Sequence, residues 1–251
     1  MSKLHIVGIG PGSKEYLTFK AKEIVESSDI LIGSRRALEL FIDVEAEKME
    51  MSVLNMDEML KLAVSNACQG KSVALLSTGD PGFSGVLKPI LKLAGDLDIE
   101  VVPGVSSIQI CASKLHIPWD DANIITMHGK GISKDILNMI ANGKPTIILP
   151  NTTIEELTNF LIESKIDPDR KVAVCEKMSY PDERVIKTAL KDVLSEKFGY
   201  MCILVVYWSR CSVLKIKSLK LLLKLKKGIE PFRSQIKPNK RLANGKNKFY
   251  L

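Results

Sequence analysis

Apolar residues fall along this chain in short unbroken runs, separated by longer stretches with helical spacing. Leu4–Ile9, Asp29–Gly33, Ser72–Leu76 and Ile99–Val102 are such runs in the first half. Short continuous runs predict strands buried on both faces. Between them, apolar positions at Leu17, Ala21, Ile24 and Val25 predict a helix over Glu15–Ser28. Further helices are expected over Arg35–Phe41, Met56–Cys68, Phe83–Leu93 and Val105–Leu115. Gly70 fits the C-terminal stop of the helix before it.

The pattern repeats after Pro118-Trp119-Asp120-Asp121. Strands are expected at Asn123–Met127, Pro145–Leu149, Lys171–Cys175 and Met201–Tyr207. Helices are expected at Ile132–Ala141, Ile154–Glu163 and Leu190–Lys197. Alternating elements of this kind predict an α/β fold of two α/β domains, residues 1–117 and 118–208, with an active-site cleft between them. The apolar content, 45% of 251 residues, suffices for a large core.

Charge separates the remainder from this body. Of 36 Lys and Arg and 29 acids, 13 bases and only Glu230 among the acids lie in residues 209–251. That leaves 23 bases against 28 acids, a net charge of −5, in residues 1–208. The acidic body gives no reason to expect nucleic acid or membrane as a partner. The basic tail, with Val213–Leu225 mixing Leu, Ile and Lys, is expected to be a poorly ordered or singly helical appendage, and no role is assigned to it. Met1-Ser2-Lys3 leads straight into a strand, without a signal-peptide pattern. No apolar run approaches the roughly 18 residues of a membrane span.

The five cysteines, Cys68, Cys111, Cys175, Cys202 and Cys211, are scattered and odd in number. They predict buried free thiols in the reducing cytoplasm rather than a disulfide framework. His5, His116 and His128 share no metal-ligand spacing, so no resident metal is expected.

Glycine-rich turns locate the chemistry. Gly8-Ile9-Gly10-Pro11-Gly12 follows the first strand, and Ser77-Thr78-Gly79-Asp80-Pro81-Gly82 follows another. Glycines there let the backbone turn sharply and approach a ligand closely. The first turn is no dinucleotide fingerprint, because Ser13 replaces the third glycine and Pro11 offers no N–H to a pyrophosphate. Nor is Gly70-Lys71-Ser72 a P-loop, since it precedes its strand and Ser65 stands at the upstream glycine position. In the second turn, Asp80 can accept bonds from loop amides or face a cationic or hydroxyl-bearing ligand. A third turn, Pro103-Gly104-Val105-Ser106-Ser107, offers serines that cap the next helix or face the same ligand.

VGIGPGS, STGDPGFSG and VPGVSS, in this order and spacing, resemble the tetrapyrrole methylase family across about residues 1–208. Gly33-Ser34-Arg35-Arg36, Met127-His128-Gly129-Lys130 and Tyr180-Pro181-Asp182-Glu183-Arg184 resemble its branch acting at carbon 5 of cobalt-precorrin-7. The resemblance implies an S-adenosylmethionine-dependent carbon methyltransferase of cobalamin biosynthesis, cytoplasmic and homodimeric. Any cobalt would arrive inside the substrate. Carbon-15 methylation with decarboxylation would belong to a separate partner.

The resemblance also implies a site. Gly8, Gly10, Pro11 and Gly12 would form one edge of the cofactor pocket. Thr78, Gly79, Asp80 and Phe83 would contact the cofactor, Ser106 and Ser107 would lie beside its methionine part, and Leu149 and Pro150 would approach the adenine. Asp80 and His128 are the candidate catalytic residues, although His128 also suits a satisfied loop histidine. Arg35 and Arg36 would hold substrate carboxylates, unless they are solvated at a helix start. Asp182 and Arg184 would bind substrate, or form a local ion-pair turn with Glu183. The alternative acceptors within the family are another precorrin position, RNA or diphthine, and the acidic body argues against RNA. A cofactor-binding module without catalysis would keep the turns but close the cleft.

Overall fold

The computed structural model describes residues 3–129, 131 and 135–208. The basic tail, Cys211, Lys130 and the expected helix start at 132–134 lie outside the described residues. Two five-stranded sheets carry the fold, in one compact unit.

The first sheet contains β1 (Leu4–Gly8), β2 (Ile30–Gly33), β3 (Glu47–Glu50), β4 (Val73–Ser77) and β5 (Ile99–Val102). Its order is β3-β2-β4-β1-β5 and every pair is parallel. The continuous apolar runs follow from this topology, because successive side chains serve opposite faces. Val7, Leu31, Ala74 and Leu76 pack under α1 (Phe19–Glu26) and α2 (Arg35–Glu39). Leu4, Ile6, Ile30, Ile32, Val73 and Leu75 pack under α3 (Met56–Cys68) and α4 (Leu87–Ile90).

The second sheet contains β6 (Asn123–Thr126), β7 (Thr146–Leu149), β8 (Lys171–Glu176), β9 (Arg184–Ala189) and β10 (Cys202–Val206), ordered β6-β7-β10-β8-β9. Here β10 runs antiparallel to both β7 and β8. One face packs with α6 (Asp135–Ala141) and α7 (Ile154–Glu163) through Ile136, Ile140, Leu157 and Leu161. The other face, carrying Ile147, Ala173, Cys175, Ile203 and Val205, packs against α5 (Ser107–Leu115). This helix follows β5 of the first sheet yet supplies core to the second, so it joins the two halves.

Four expectations are corrected. The helix expected over Glu15–Ser28 is a 3-10 turn at Lys14–Tyr16 followed by α1. Thr18 divides them, its hydroxyl accepting from Ala21 N at 3.1 Å as an N-cap. The helix expected over Phe83–Leu93 shrinks to α4, because residues 81–86 turn tightly, with Ser84 at φ +58°. The strands β3 and β9 were not expected. Both are sheet edges; β3 reads Glu-Lys-Met-Glu, a charged edge that discourages further pairing but hides the apolar signal. Finally, Cys68 is exposed, whereas Cys111, Cys175 and Cys202 are buried free thiols.

Among the described residues, no helix is long and apolar enough to cross a membrane.

His5 yields a pH prediction. Its ring sits on β1 with Nδ1 3.4 Å from Glu100 Oε2 on β5. Burial outweighs that carboxylate and lowers the imidazole pKa from 6.5. The unfolded chain therefore binds more protons below pH 6.5, and stability falls as pH drops from there through the folded pKa. His5→Leu should flatten this part of the denaturant-midpoint profile between about pH 7 and 5. Equal slopes in the two proteins would refute it.

Candidate active site

Because β1, β4 and β5 are adjacent and parallel, their C-terminal turns emerge side by side. The carboxyl edge of an open parallel sheet is the usual ligand position. Ile9 N donates to Ser77 O at 3.0 Å, and Gly79 N to Gly10 O at 2.7 Å. Gly8 and Gly104 let the backbones touch: a Cβ on Gly8 would lie 2.5 Å from Gly104 N. Gly10 and Gly79 need their positive φ values, +76° and +72°.

Asp80 binds these turns together. Its Oδ1 accepts from Gly82 N at 2.8 Å and its Oδ2 from Gly104 N at 3.2 Å. Of the two roles open to this acid, holding loop amides is the one observed, and the residue still lines the cavity. Ser106 caps α5: its hydroxyl accepts from Ile108 N at 3.3 Å, and Gln109 Oε1 accepts from Ser106 N at 2.7 Å. The positive end of α5 thus opens beside Ser106 and Ser107 on the cavity wall.

The second half closes the opposite side. Leu149 ends β7 and Pro150 follows it, Cys175 sits on β8, and Met201 leads into β10, which opens with Cys202 and Ile203. Tyr180 reaches back to the first turn so closely that a Cβ on Gly12 would lie 2.3 Å from its ring. Arg36, at the start of α2, places its guanidinium on the thioether of Met201. The cavity is open, so the turns do not collapse on a closed cleft.

Most expected site residues meet here. Pro11, Thr78, Gly79, Asp80, Phe83, Ser106, Ser107, Leu149 and Pro150 line the cavity, as do Arg36 and His128. Gly8, Gly10 and Gly12 are not lining residues; they support the wall through backbone approach. Three expected substrate residues do not line it. Arg35 is exposed and pairs with Glu50 at 3.3 Å. Asp182 pairs with Lys177. Arg184 is held by Glu176 at 2.9 Å and stacks on Phe198, 4.8 Å from the ring centroid.

Sequence reasoning missed Ser84, Cys175, Lys177, Met178, Tyr200, Met201, Cys202 and Ile203, and gave Tyr180 no role. Most of these sit at ends of β8 and β10, which carry no glycine-rich signature. The Tyr180–Arg184 motif was the signal nearest to them.

The site's acid–base character is restrained. Burial lowers the pKa of His128, so its ring is neutral at pH 7, with Nδ1 3.4 Å from Thr126 Oγ1. Burial pushes the Cys202 thiol up to about 12, which removes it as a thiolate nucleophile. The Cys111 thiol, 2.9 Å from Cys175 Sγ, is also raised, chiefly by that hydrogen bond.

Residues 3–194 match the family model of the tetrapyrrole (corrin/porphyrin) methylases. A protein of Methanocaldococcus jannaschii named probable cobalt-precorrin-7 C(5)-methyltransferase is 45% identical over 204 residues, covering 80% of this chain and 96% of that protein. Among solved structures, a cobalt precorrin-4 methyltransferase superposes with a TM-score of 0.70 at 22% identity, covering 82% of this chain and 95% of the other. A uroporphyrin-III C-methyltransferase of Thermus thermophilus, solved with S-adenosyl homocysteine, gives 0.66 at 21% identity, covering 82% and 92%. These two likenesses establish the two-sheet fold. With the family model matching residues 3–194, well over half of its length, the chain belongs to the tetrapyrrole (corrin/porphyrin) methylases.

Proposed function

We propose that this chain is an S-adenosylmethionine-dependent methyltransferase acting on carbon 5 of cobalt-precorrin-7 in cobalamin biosynthesis. The observation that carries the reading is the 45% identity, across 96% of its length, to the M. jannaschii protein of that name.

The cavity supports the cofactor. A Cβ on Gly79 would find only Ser106 Cα, at 3.8 Å, so the turn leaves open space against its backbone. The donors present suit an amino-acid head joined to an aromatic base rather than a polyphosphate: the Thr78 and Ser107 hydroxyls, the α5 amides and apolar faces from Phe83, Leu149 and Pro150. When bound, S-adenosylmethionine supplies a methyl group already activated on a sulfonium. The residues therefore need mainly to align the reactants and exclude water.

In this reading Pro11, Thr78 and Gly79 support the cofactor, and the positive end of α5 favours its carboxylate. Leu149 and Pro150 flank the adenine. Arg36 holds a substrate carboxylate, having no carboxylate within 4 Å among the described residues. His128, neutral at the cavity mouth, orients the substrate through a hydrogen bond. The chain is taken to be a cytoplasmic homodimer, with carbon-15 chemistry left to a separate protein; a monomer mass by light scattering would overturn the dimer.

The functional test uses the full chain, labelled S-adenosylmethionine and cobalt-precorrin-7. The label is expected at carbon 5, and transfer to another ring position would refute the assignment. Asp80→Ala should weaken S-adenosylmethionine binding about tenfold, because two loop amides lose their charged acceptor. Unchanged affinity by calorimetry, with the fold intact, would remove Asp80 from cofactor binding.

A further inference from the structure

Two cations reach the cavity from opposite halves and meet over one residue. Arg36 lays its guanidinium on the Met201 thioether. Lys177, in the turn after β8, donates its backbone N–H to Met201 O at 2.8 Å. Both residues line the cavity. The Lys177 backbone is left-handed, at φ +52°, and Ser179 follows at φ +73°. Such conformations are unfavourable for residues other than glycine and persist only when surroundings impose them. The turn therefore holds Lys177 against the cavity at a conformational cost.

The ammonium of Lys177 is paired with Asp182, five residues along the same turn. The Lys177 and Asp182 side chains are 37% and 62% exposed. An exposed pair contributes little to stability, so an arriving carboxylate can take the place of Asp182 at small cost. Asp182 does not line the cavity, whereas Lys177 does. Arg36 and Lys177 thus bring two cations to the cavity through Met201, and neither is among the residues assigned to the cofactor.

We propose that Lys177 is a specificity-determining residue that binds a carboxylate of the polyanionic tetrapyrrole, with Asp182 as its resident counter-ion displaced on binding. The inference rests on the tetrapyrrole substrate class above, and it gives Asp182 the opposite role from a substrate ligand. Lys177 contributes charge and position, with no proton or group transferred.

The test is equilibrium binding to the full chain, by fluorescence or absorbance titration. The probes are cobalt-precorrin-7 and uroporphyrin, a tetrapyrrole octacarboxylate. Lys177→Gln should weaken both about tenfold, while S-adenosylhomocysteine affinity stays at the wild-type value. Lys177→Arg should retain binding within about threefold of wild type. Asp182→Asn should tighten binding about two- to fivefold, because the competing anion is gone. A purely structural ion pair predicts weaker binding from both Lys177→Gln and Asp182→Asn. That result, or tetrapyrrole affinity unchanged in Lys177→Gln, overturns the proposal, as does a wild-type chain that binds neither probe. Binding is read without methyl transfer, so methylation at an unexpected carbon would refute the functional reading and leave this outcome separately decided.

Discussion

Gly104→Ala is expected to cost about 3 kcal/mol or more of stability and to abolish tight cofactor binding. The reason is space, because Gly104 does not have positive φ. The added Cβ would lie 2.2 Å from Gly79 O and 2.7 Å from Gly8 C. Both are backbone atoms of neighbouring turns, and no flexible side chain can give way. Relief requires the third turn to move off the first two, and that breaks the 3.2 Å bond from Gly104 N to Asp80. All three walls of the proposed cofactor site shift together. For a chain of this size the loss lowers Tm by about 6–12 °C, with S-adenosylmethionine affinity at least about tenfold weaker. Gly131→Ala is the control, since its Cβ would find nothing within 4 Å; its Tm should stay within about 1 °C of wild type. Wild-type Tm and affinity in Gly104→Ala would show that the turns are not packed as described.

Glu176→Ala should cost about 3 kcal/mol, the low end for removing one partner of a buried charge pair. Glu176 is 7% exposed at the end of β8. One carboxylate oxygen accepts from Arg184 Nε at 2.9 Å, and the other accepts from Gly199 N. The Arg184 side chain is 39% exposed and keeps Glu196 at 3.6 Å, which holds the cost to the low end. Glu176→Gln retains one acceptor oxygen and should cost about half as much. The consequence for function is local. Glu176 anchors the 199–201 segment from which Tyr200 and Met201 reach the cavity, and it precedes Lys177 directly. Tetrapyrrole binding should therefore weaken in Glu176→Ala more than cofactor binding does. Denaturant unfolding paired with the two titrations checks this. A stability loss below about 1 kcal/mol would mean that the pair is not effectively buried.

The strands were legible where burial on both faces forced unbroken apolar runs. Leu4–Val7 and Val73–Leu76 divide their side chains between two helix layers, and nothing polar interrupts them. Edge strands were illegible for the converse reason. Glu47–Glu50 is charged because an edge must repel further strands, so its composition resembles a loop. Helix limits failed where a local hydroxyl or turn competed with periodicity, at Thr18 and around Ser84. The basic tail stands apart in composition, beyond the described residues.

The cofactor side of the site was readable because close backbone approach demands glycine, and glycine is visible in a sequence. Gly8, Gly10 and Gly104 announce contacts that no side chain could allow, and Gly10 and Gly79 announce left-handed backbone. The facing wall was not readable, because it is built from ordinary residues at the ends of β8 and β10. What the sequence alone determined is the α/β alternation, the three turns and their likeness to the methylases. What tertiary structure decided is which neighbours each charge acquired. Arg35 turned to Glu50, Arg184 to Glu176, Lys177 to Asp182, and Arg36 to Met201 at the cavity. It also decided that α5, contiguous with the first sheet, supplies core to the second. A glycine's constraint is carried by its own backbone, so it is written locally. A charge's role depends on partners brought from distant segments, and only folding chooses among them.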